Sequence, residues 1–266
     1  MEWVSEGFII SVREHGDNQA VINIFTEKYG RCQGLLYGRQ NKRNIPTMQV
    51  GNLVQATWKA RIENQLGYFL LEIQQDNSCH IFSNYWASYI ISAAAELIYR
   101  LFPERESHVR TYKHLLQLFP LLSKSLMHAI QEYVKWETVV LADIGYGLNL
   151  SNCAVTGQSY DLSYVSPKTG RAVSESVAQN WVNKLLILPD FLQVSDEKSL
   201  SEATESTSII ELLHGLNLTG FFIEKYAMAQ LSTTLSLQAR SRLINVVNTA
   251  IKQHKERSVT KVGIST

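Results

Sequence analysis

The chain has 266 residues, 45% hydrophobic and 18% charged, so a buried core is within reach and a globally disordered chain is excluded. Lys and Arg number 25 against 24 Asp and Glu, a formal net charge of +1. The whole-chain charge therefore gives no argument for a polyanionic partner, and any such argument must come from local clustering.

The first eighty residues read as strands. Phe8–Arg13 is the first, and Gly16-Asp17-Asn18 is a turn, since these residues tolerate turn dihedrals. Ala20–Phe25 is the second, followed by a Lys28-Tyr29-Gly30 turn, and Arg31–Gly38 is the third. A loop with Asn41, Asn44 and Pro46 leads to a long fourth strand, Val50–Ile62, and Tyr68–Ile73 is the fifth. Five short strands with turn signals fit a closed barrel better than an open sheet with exposed edges, and one of this length is of the OB type.

From Ser83 the pattern turns helical. Ser83 is placed to cap a helix reaching Phe102, with Pro103 just beyond its end. A second helix spans Ser107–Phe119 before Pro120, and a third spans Leu126–Ile144 before Gly145. Residues 151–175 are punctuated by Gly157, Pro167 and Gly170 and read as a small β-rich excursion containing Leu162–Val165. After Ser174 the chain is expected to return to helix, with an exposed loop at 196–208. A last helix runs from Ser236 to His254, and a frayed tail follows from Ser258. The fold class expected is α+β: a barrel domain over 1–80, then a helical domain over 81–266 with its insertion at about 151–175.

The start Met1–Glu6 is acidic and precedes no apolar segment of signal-peptide type. No run approaches the ~18 apolar residues of a membrane helix. Cys32, Cys79 and Cys153 are too scattered for a disulfide framework. A soluble protein of a reducing compartment is expected.

The catalytic inventory is empty: no GxSxG, no HExxH, no P-loop. Gly145-Tyr146-Gly147 lacks a third glycine and follows a helix, so it is no dinucleotide site. The seven histidines show no ligand spacing. After Cys153 the CxxC partner position is Thr156, so no zinc is expected there.

Charge is segregated within the barrel. Lys28, Arg31, Arg39, Lys42, Arg43, Lys59 and Arg61 fall in a stretch without Asp or Glu, although residues 1–80 hold 8 basic and 8 acidic residues. By strand alternation, Arg31, Gln33, Leu35, Tyr37 and Arg39 share one face, and Gln55, Thr57, Lys59 and Arg61 another. Trp58 falls on the opposite, core side. Cations with an interleaved aromatic such as Tyr37 suit single-stranded nucleic acid, whose phosphates need Lys and Arg and whose bases stack on rings. A solvated basic face without a ligand is the alternative, and the pattern alone leaves both open. A second cluster, Lys225, Arg240, Arg242, Lys252, Lys255, Arg257 and Lys261, faces one acid, Glu256, and reads more readily as a solvated helix face.

Several stretches resemble the RecO family of recombination mediators. They are Phe25–Arg39 (FTEKYGRCQGLLYGR), Val50–Arg61 (VGNLVQATWKAR), Cys153–Gly157 (CAVTG), Tyr164–Ser174 (YVSPKTGRAVS) and Leu218–Glu224 (LTGFFIE). They occur in the family's order along nearly the whole chain, and none is catalytic. The resemblance implies a non-enzymatic DNA repair protein of the bacterial cytoplasm and nucleoid, without a cofactor. Its OB domain would precede a helical domain carrying a zinc-knuckle-like element. Such proteins bind single- and double-stranded DNA and anneal complementary strands. With RecR they replace single-stranded-DNA-binding protein (SSB) by RecA. Some dock the acidic, Phe-containing tail of SSB in the helical domain; here Arg110 and Lys113, three apart on one helix face, are the candidates to receive it, although sparse cations among apolar residues are equally what any amphipathic helical bundle shows. The knuckle departs from zinc-bearing relatives, with Thr156, Arg171 and Ser174 at positions of the motif. An adaptor whose OB face binds an acidic partner tail is the second reading, and an enzyme is disfavoured by the empty motif inventory.

Overall fold

A computed structural model describes residues 1–62, 65–78, 84–193, 208–230 and 236–262. Its residues fall into two compact units: Met1–Lys124 with Leu237–Arg240, and Ser125–Ser236 with Ser241–Thr266. No helix among the described residues is long and apolar enough to cross a membrane.

The first unit is built on a closed barrel of five strands: β1 (Glu2–His15), β2 (Gln19–Thr26), β3 (Gly30–Tyr37), β4 (Leu53–Lys59) and β5 (Tyr68–Gln75), ordered β1-β2-β3-β5-β4. The first strand begins six residues earlier than the sequence expects. Glu2–Phe8 pairs with β4 and Gly7–His15 with β2, so one long strand closes the barrel. A bulge between Ile9 and Ser11 bends it. At Gly7 a Cβ would lie 2.4 Å from the Ile24 Cγ2, so only glycine fits where β1 passes from one partner to the other. The fourth strand is shorter than the expected Val50–Ile62, because Val50–Asn52 turns into the barrel end and hydrogen bonds with Ile9.

Ile9, Ile22, Ile24, Leu36, Val54, Trp58 and Phe69 fill the barrel. Strand β2 is buried on both faces, which its unbroken apolar run Ala20–Phe25 already signals. Its outer residue Phe25 stacks on Phe102 at 5.9 Å, and Phe8 of β1 stacks on Phe119 at 4.4 Å. These contacts come from α2 (Tyr85–Leu101), α3 (Val109–Leu118) and the 3₁₀ turn Phe119–Ser123; a short α1 (Asn44–Thr47) precedes β4. The compact unit therefore extends past residue 80, with α2 and α3 as its cover. Ser83 and Cys79 lie outside the described residues; Asn84 occupies the N-cap of α2.

The second unit contains α4 (Leu126–Asp143), whose buried Ile130, Tyr133, Val134, Trp136 and Leu141 keep helical spacing. The excursion forms β6 (Leu162–Val165) and β7 (Ala172–Ser174), with Leu162, Val165 and Val173 buried. The chain does not return to continuous helix after Ser174. The short α5 (Glu175–Ala178) and a 3₁₀ turn, Val182–Lys184, form before β8 (Leu186–Ile187) adds itself to β6 as a third strand, in the order β7-β6-β8, just ahead of Pro189. Helix α6 (Ile209–Gln230) packs on α4, where Gly215 leaves room for Val134 and the Thr219 hydroxyl donates to the buried Glu137 carboxylate. Helix α7 (Gln238–Val262) runs past His254, so the tail expected from Ser258 is helical as far as Val262. Of the expected 196–208 loop, only Ser208 is among the described residues.

Candidate nucleic-acid interface

Helices α2 and α3 cover β1 and β2, α1 packs on β5, and the remaining outer residues of β3, β5 and β4 are exposed or half-buried. Tyr37 is 54% exposed, Tyr68 37% and Leu70 54% on this open wall. Register assembles the rest: Tyr68 stands opposite Leu35 of β3 and opposite Lys59 of β4. The Tyr37 and Tyr68 rings meet edge to face at 6.1 Å. A line Tyr37–Tyr68–Lys59 thus crosses three strands. Gln55 and Thr57 continue the outer face of β4, and Glu72 is its acidic member on β5.

The expected basic residues divide between the ends of the barrel. Strand β3 ends at Tyr37, and Gly38, at φ +74°, turns the chain away. Arg39 is therefore not on the β3 face with Tyr37; it pairs with Glu14, while its N–H and that of Gly38 donate to the Asn18 carbonyl. Lys42 and Arg43 are exposed in the following loop. Asn44 Nδ2 fastens this loop to the end of β3 by donating to the carbonyls of Tyr37 and Gly38, both at 2.9 Å. The far side of the loop is held by buried asparagines: Asn52 Nδ2 donates to the Pro46 carbonyl and Asn77 Nδ2 to that of Gly51.

Arg31 is engaged in the fold. Its guanidinium donates to the Phe102 carbonyl, to Asn23 Oδ1 and to Glu104, and lies over the Tyr99 ring. Lys59 Nζ sits 2.9 Å from Glu2 Oε1, and that hydrogen bond holds its pKa above the ordinary value. Arg61 is exposed just past β4. Lys28 lies in the β2–β3 turn; seven steps along β3 place it about 23 Å from the loop that carries Lys42 and Arg43. On α3, Arg110 and Lys113 share the solvent side, and Lys113 pairs with Glu27 at 3.4 Å. Tyr112, Leu115 and Leu118 of that helix are buried, while Val109, four positions before Lys113, is 41% exposed beside the two cations.

Near Lys28 the barrel end opens into a cleft of about 480 Å³. Trp3 stacks on Tyr29 at 4.5 Å and on Trp58 at 5.9 Å, with rings within 19° of parallel. Lys28 Nζ lies 5.1 Å from the Tyr29 ring centre, and the Arg105 guanidinium 5.3 Å from that of Trp58. Trp58 belongs to the core, as its alternation requires, and also lines the cleft. Cys32 lines it as well, but burial pushes its thiol up to about 12, so it stays protonated. Sequence reasoning missed Trp3, Tyr29, Tyr68 and Arg105. Only the strand register, Trp3 to Trp58 and Tyr68 to Lys59, would have singled out two of them.

The second basic cluster is not a single solvated face. Lys225 Nζ donates to the carbonyls of Pro167 and Lys168, tying down the insertion, and Arg240 is buried. The side chains of Lys255, Arg257 and Lys261 lie outside the described residues.

In the insertion, the buried Cys153 sulfur accepts from the Ser174 N–H and hydroxyl, each at 3.3 Å. Thr156 and Ser174 supply hydroxyls where zinc would need thiolates, so the residues do not fit that metal. No group of three or more His, Cys, Asp or Glu among the described residues is placed to hold a metal ion. Burial raises the Cys153 pKa, but hydrogen bonds from Ser174 and Thr156 outweigh it and bring the thiol down to about 6. Since the folded value lies below the ordinary 9.0, this thiolate contributes stability that is full above about pH 9 and fades as pH falls through 6. Wild type should lose stability relative to Cys153→Ala between those pH values. A pH-independent difference in urea midpoints would contradict this. Elemental analysis should find no stoichiometric zinc.

Two family models together match most of the chain. The family model described as "Recombination protein O N terminal" matches residues 1–74, and "Recombination protein O C terminal" matches residues 83–235. A protein named DNA repair protein RecO from Methylobacterium nodulans is 38% identical over 233 residues, 85% of this chain and 90% of its own. Its namesake from Bradyrhizobium sp. is 36% identical over 253 residues, 94% and 97%. A third, from Rhodopseudomonas palustris, is 36% identical over 259 residues, 96% and 100%.

Proposed function

The chain belongs to the RecO family, and on that premise we propose that it is a DNA repair protein that holds DNA on the open wall of an OB-type barrel and performs no catalysis of its own. It binds single- and double-stranded DNA, anneals complementary strands and, with RecR, helps exchange SSB for RecA in the bacterial cytoplasm at the nucleoid. The observation that carries this reading is the exposed line Tyr37–Tyr68–Lys59 beside the cationic loop of Lys42 and Arg43. The rings offer stacking surfaces for unpaired bases, and the cations neutralise phosphates that would otherwise keep two strands apart.

The test is a salt titration of single-stranded DNA binding by wild type and by Lys42→Glu/Arg43→Glu/Arg61→Glu. These three carry no ion pair among the described residues. Reversing Arg39 or Lys59 would instead set two carboxylates side by side with Glu14 or Glu2. The log K against log salt slope should flatten by about 0.7 for each phosphate that the variant no longer neutralises. An unchanged slope in the folded variant moves DNA off this wall, and tight binding of an acidic peptide in its place would favour the adaptor reading.

The SSB-tail site is part of the same proposal. A peptide of that type ending in Pro-Phe should bind, and Arg110→Glu with Lys113→Glu should weaken it severalfold in fluorescence anisotropy. Retained affinity places the tail site on another element.

A further inference from the structure

We propose that the cleft at the end of the barrel is a separate subsite that takes one unstacked base of a single-stranded nucleic acid, with the phosphates beside it held by Lys28 and Arg105. The proposal rests on the reading of the barrel as a DNA-binding module and adds a site distinct from the open wall.

The chemistry of the lining chooses the ligand. Its volume, about 480 Å³, lies within the range of small-molecule sites. Tyr29, Trp3 and Trp58 form a ladder of near-parallel rings, the surface on which flat aromatic groups stack. Cations stand over the two outer members, Lys28 by Tyr29 and Arg105 by Trp58. They would repel a cationic guest and would be idle toward a purely apolar one. A flat ring joined to an anion satisfies both parts, and a nucleotide within a strand is such a group. Glu2, the acid that lines the cleft, is paired with Lys59 at 2.9 Å, and the nearby Glu104 with Arg31.

The backbone supports a purpose-built position for Arg105. Its φ is +63°, a conformation costly for a residue other than glycine, and it is held there by its N–H donating to the Arg31 carbonyl at 2.8 Å. Its guanidinium also donates to the Gln65 carbonyl. The turn that carries Lys28 and Tyr29 is fixed in turn by the Tyr29 N–H donating to Thr26 Oγ1. Both cations are therefore presented by braced segments.

The experiment uses the full chain and a deoxythymidine oligonucleotide containing 5-iododeoxyuridine, irradiated in the complex, with crosslinks mapped by mass spectrometry. Crosslinks at Trp3 or Tyr29 are expected. In parallel, Tyr29→Leu should weaken binding of the same oligonucleotide by roughly five- to 150-fold, the range for removal of a single base stack. An abasic oligonucleotide should show no difference between the two proteins. Crosslinks confined to Tyr37 and Tyr68, or equal effects of Tyr29→Leu on normal and abasic strands, overturn the subsite while leaving the DNA-binding reading intact. Absence of any binding by wild type defeats that reading itself. The crosslinking arm needs no variant, so it decides the matter even if Tyr29→Leu fails to fold.

Discussion

Replacing Tyr37 and Tyr68 together by Ala is expected to weaken single-stranded DNA binding by at least the ~1–3 kcal/mol of one stacking surface while leaving the salt slope of wild type in place. Each ring is a stacking surface worth ~1–3 kcal/mol by truncation, and neither contributes charge. The two rings touch at 6.1 Å, so they form one platform, and the double variant should differ from the sum of the singles. Stability should change little, because both side chains are more than a third exposed and neither belongs to the barrel core. Tyr→Phe at both positions should restore binding, since the phenol oxygens are not needed for stacking. Anisotropy titrations at several salt concentrations check this; undiminished affinity in the alanine pair would remove bases from the open wall.

Gly30→Ala is expected to be the most destabilising single substitution among the glycines of the barrel, costing about 4 kcal/mol or more. Gly30 has φ +60°, and a Cβ there would lie 1.7 Å from the Glu106 carbonyl oxygen and 2.5 Å from its carbon. Both are backbone atoms, so no side-chain rotation relieves the clash, and the segment around Glu106 must move. Gly16→Ala is the control. It shares φ +60° but nothing lies within 4 Å of its Cβ, so only the left-handed backbone cost of ~1–2 kcal/mol applies. The difference in urea midpoints between the two variants isolates the steric part. Equal midpoints would show that residues 104–106 yield at little cost. Displacing that segment would also shift Arg105, so Gly30→Ala should lose crosslinks at Trp3 and Tyr29 along with its stability.

The strands and helices were legible because their signals are local. The apolar run of β2, the glycines at its turns, and the helical spacing in α4 each depend on near neighbours in the chain. Boundaries went wrong where a distant partner decided them. Glu2–Gly7 carries weak strand signals but is held by β4, and Leu186–Ile187 is a strand only because β6 is there to receive it. The candidate interface shows the same division. Clustering along the sequence identified seven cations between Lys28 and Arg61, but sequence distance is a poor guide to neighbours on a barrel. Arg31 proved to be tied to Phe102 and Glu104, more than seventy positions away, and Arg39 to Glu14.

Sequence alone determined the family, the absence of a familiar catalytic motif, the five strands followed by helices, and the want of zinc ligands after Cys153, because each is a property of residue identity and order. Tertiary structure decided which wall of the barrel α2 and α3 leave uncovered, which cations are already paired, and that Tyr68 joins Tyr37 while Trp3, Tyr29 and Arg105 meet at a cleft. Those juxtapositions follow from strand register and barrel closure. Both are set by summed packing of residues far apart in the chain, and no local pattern encodes them.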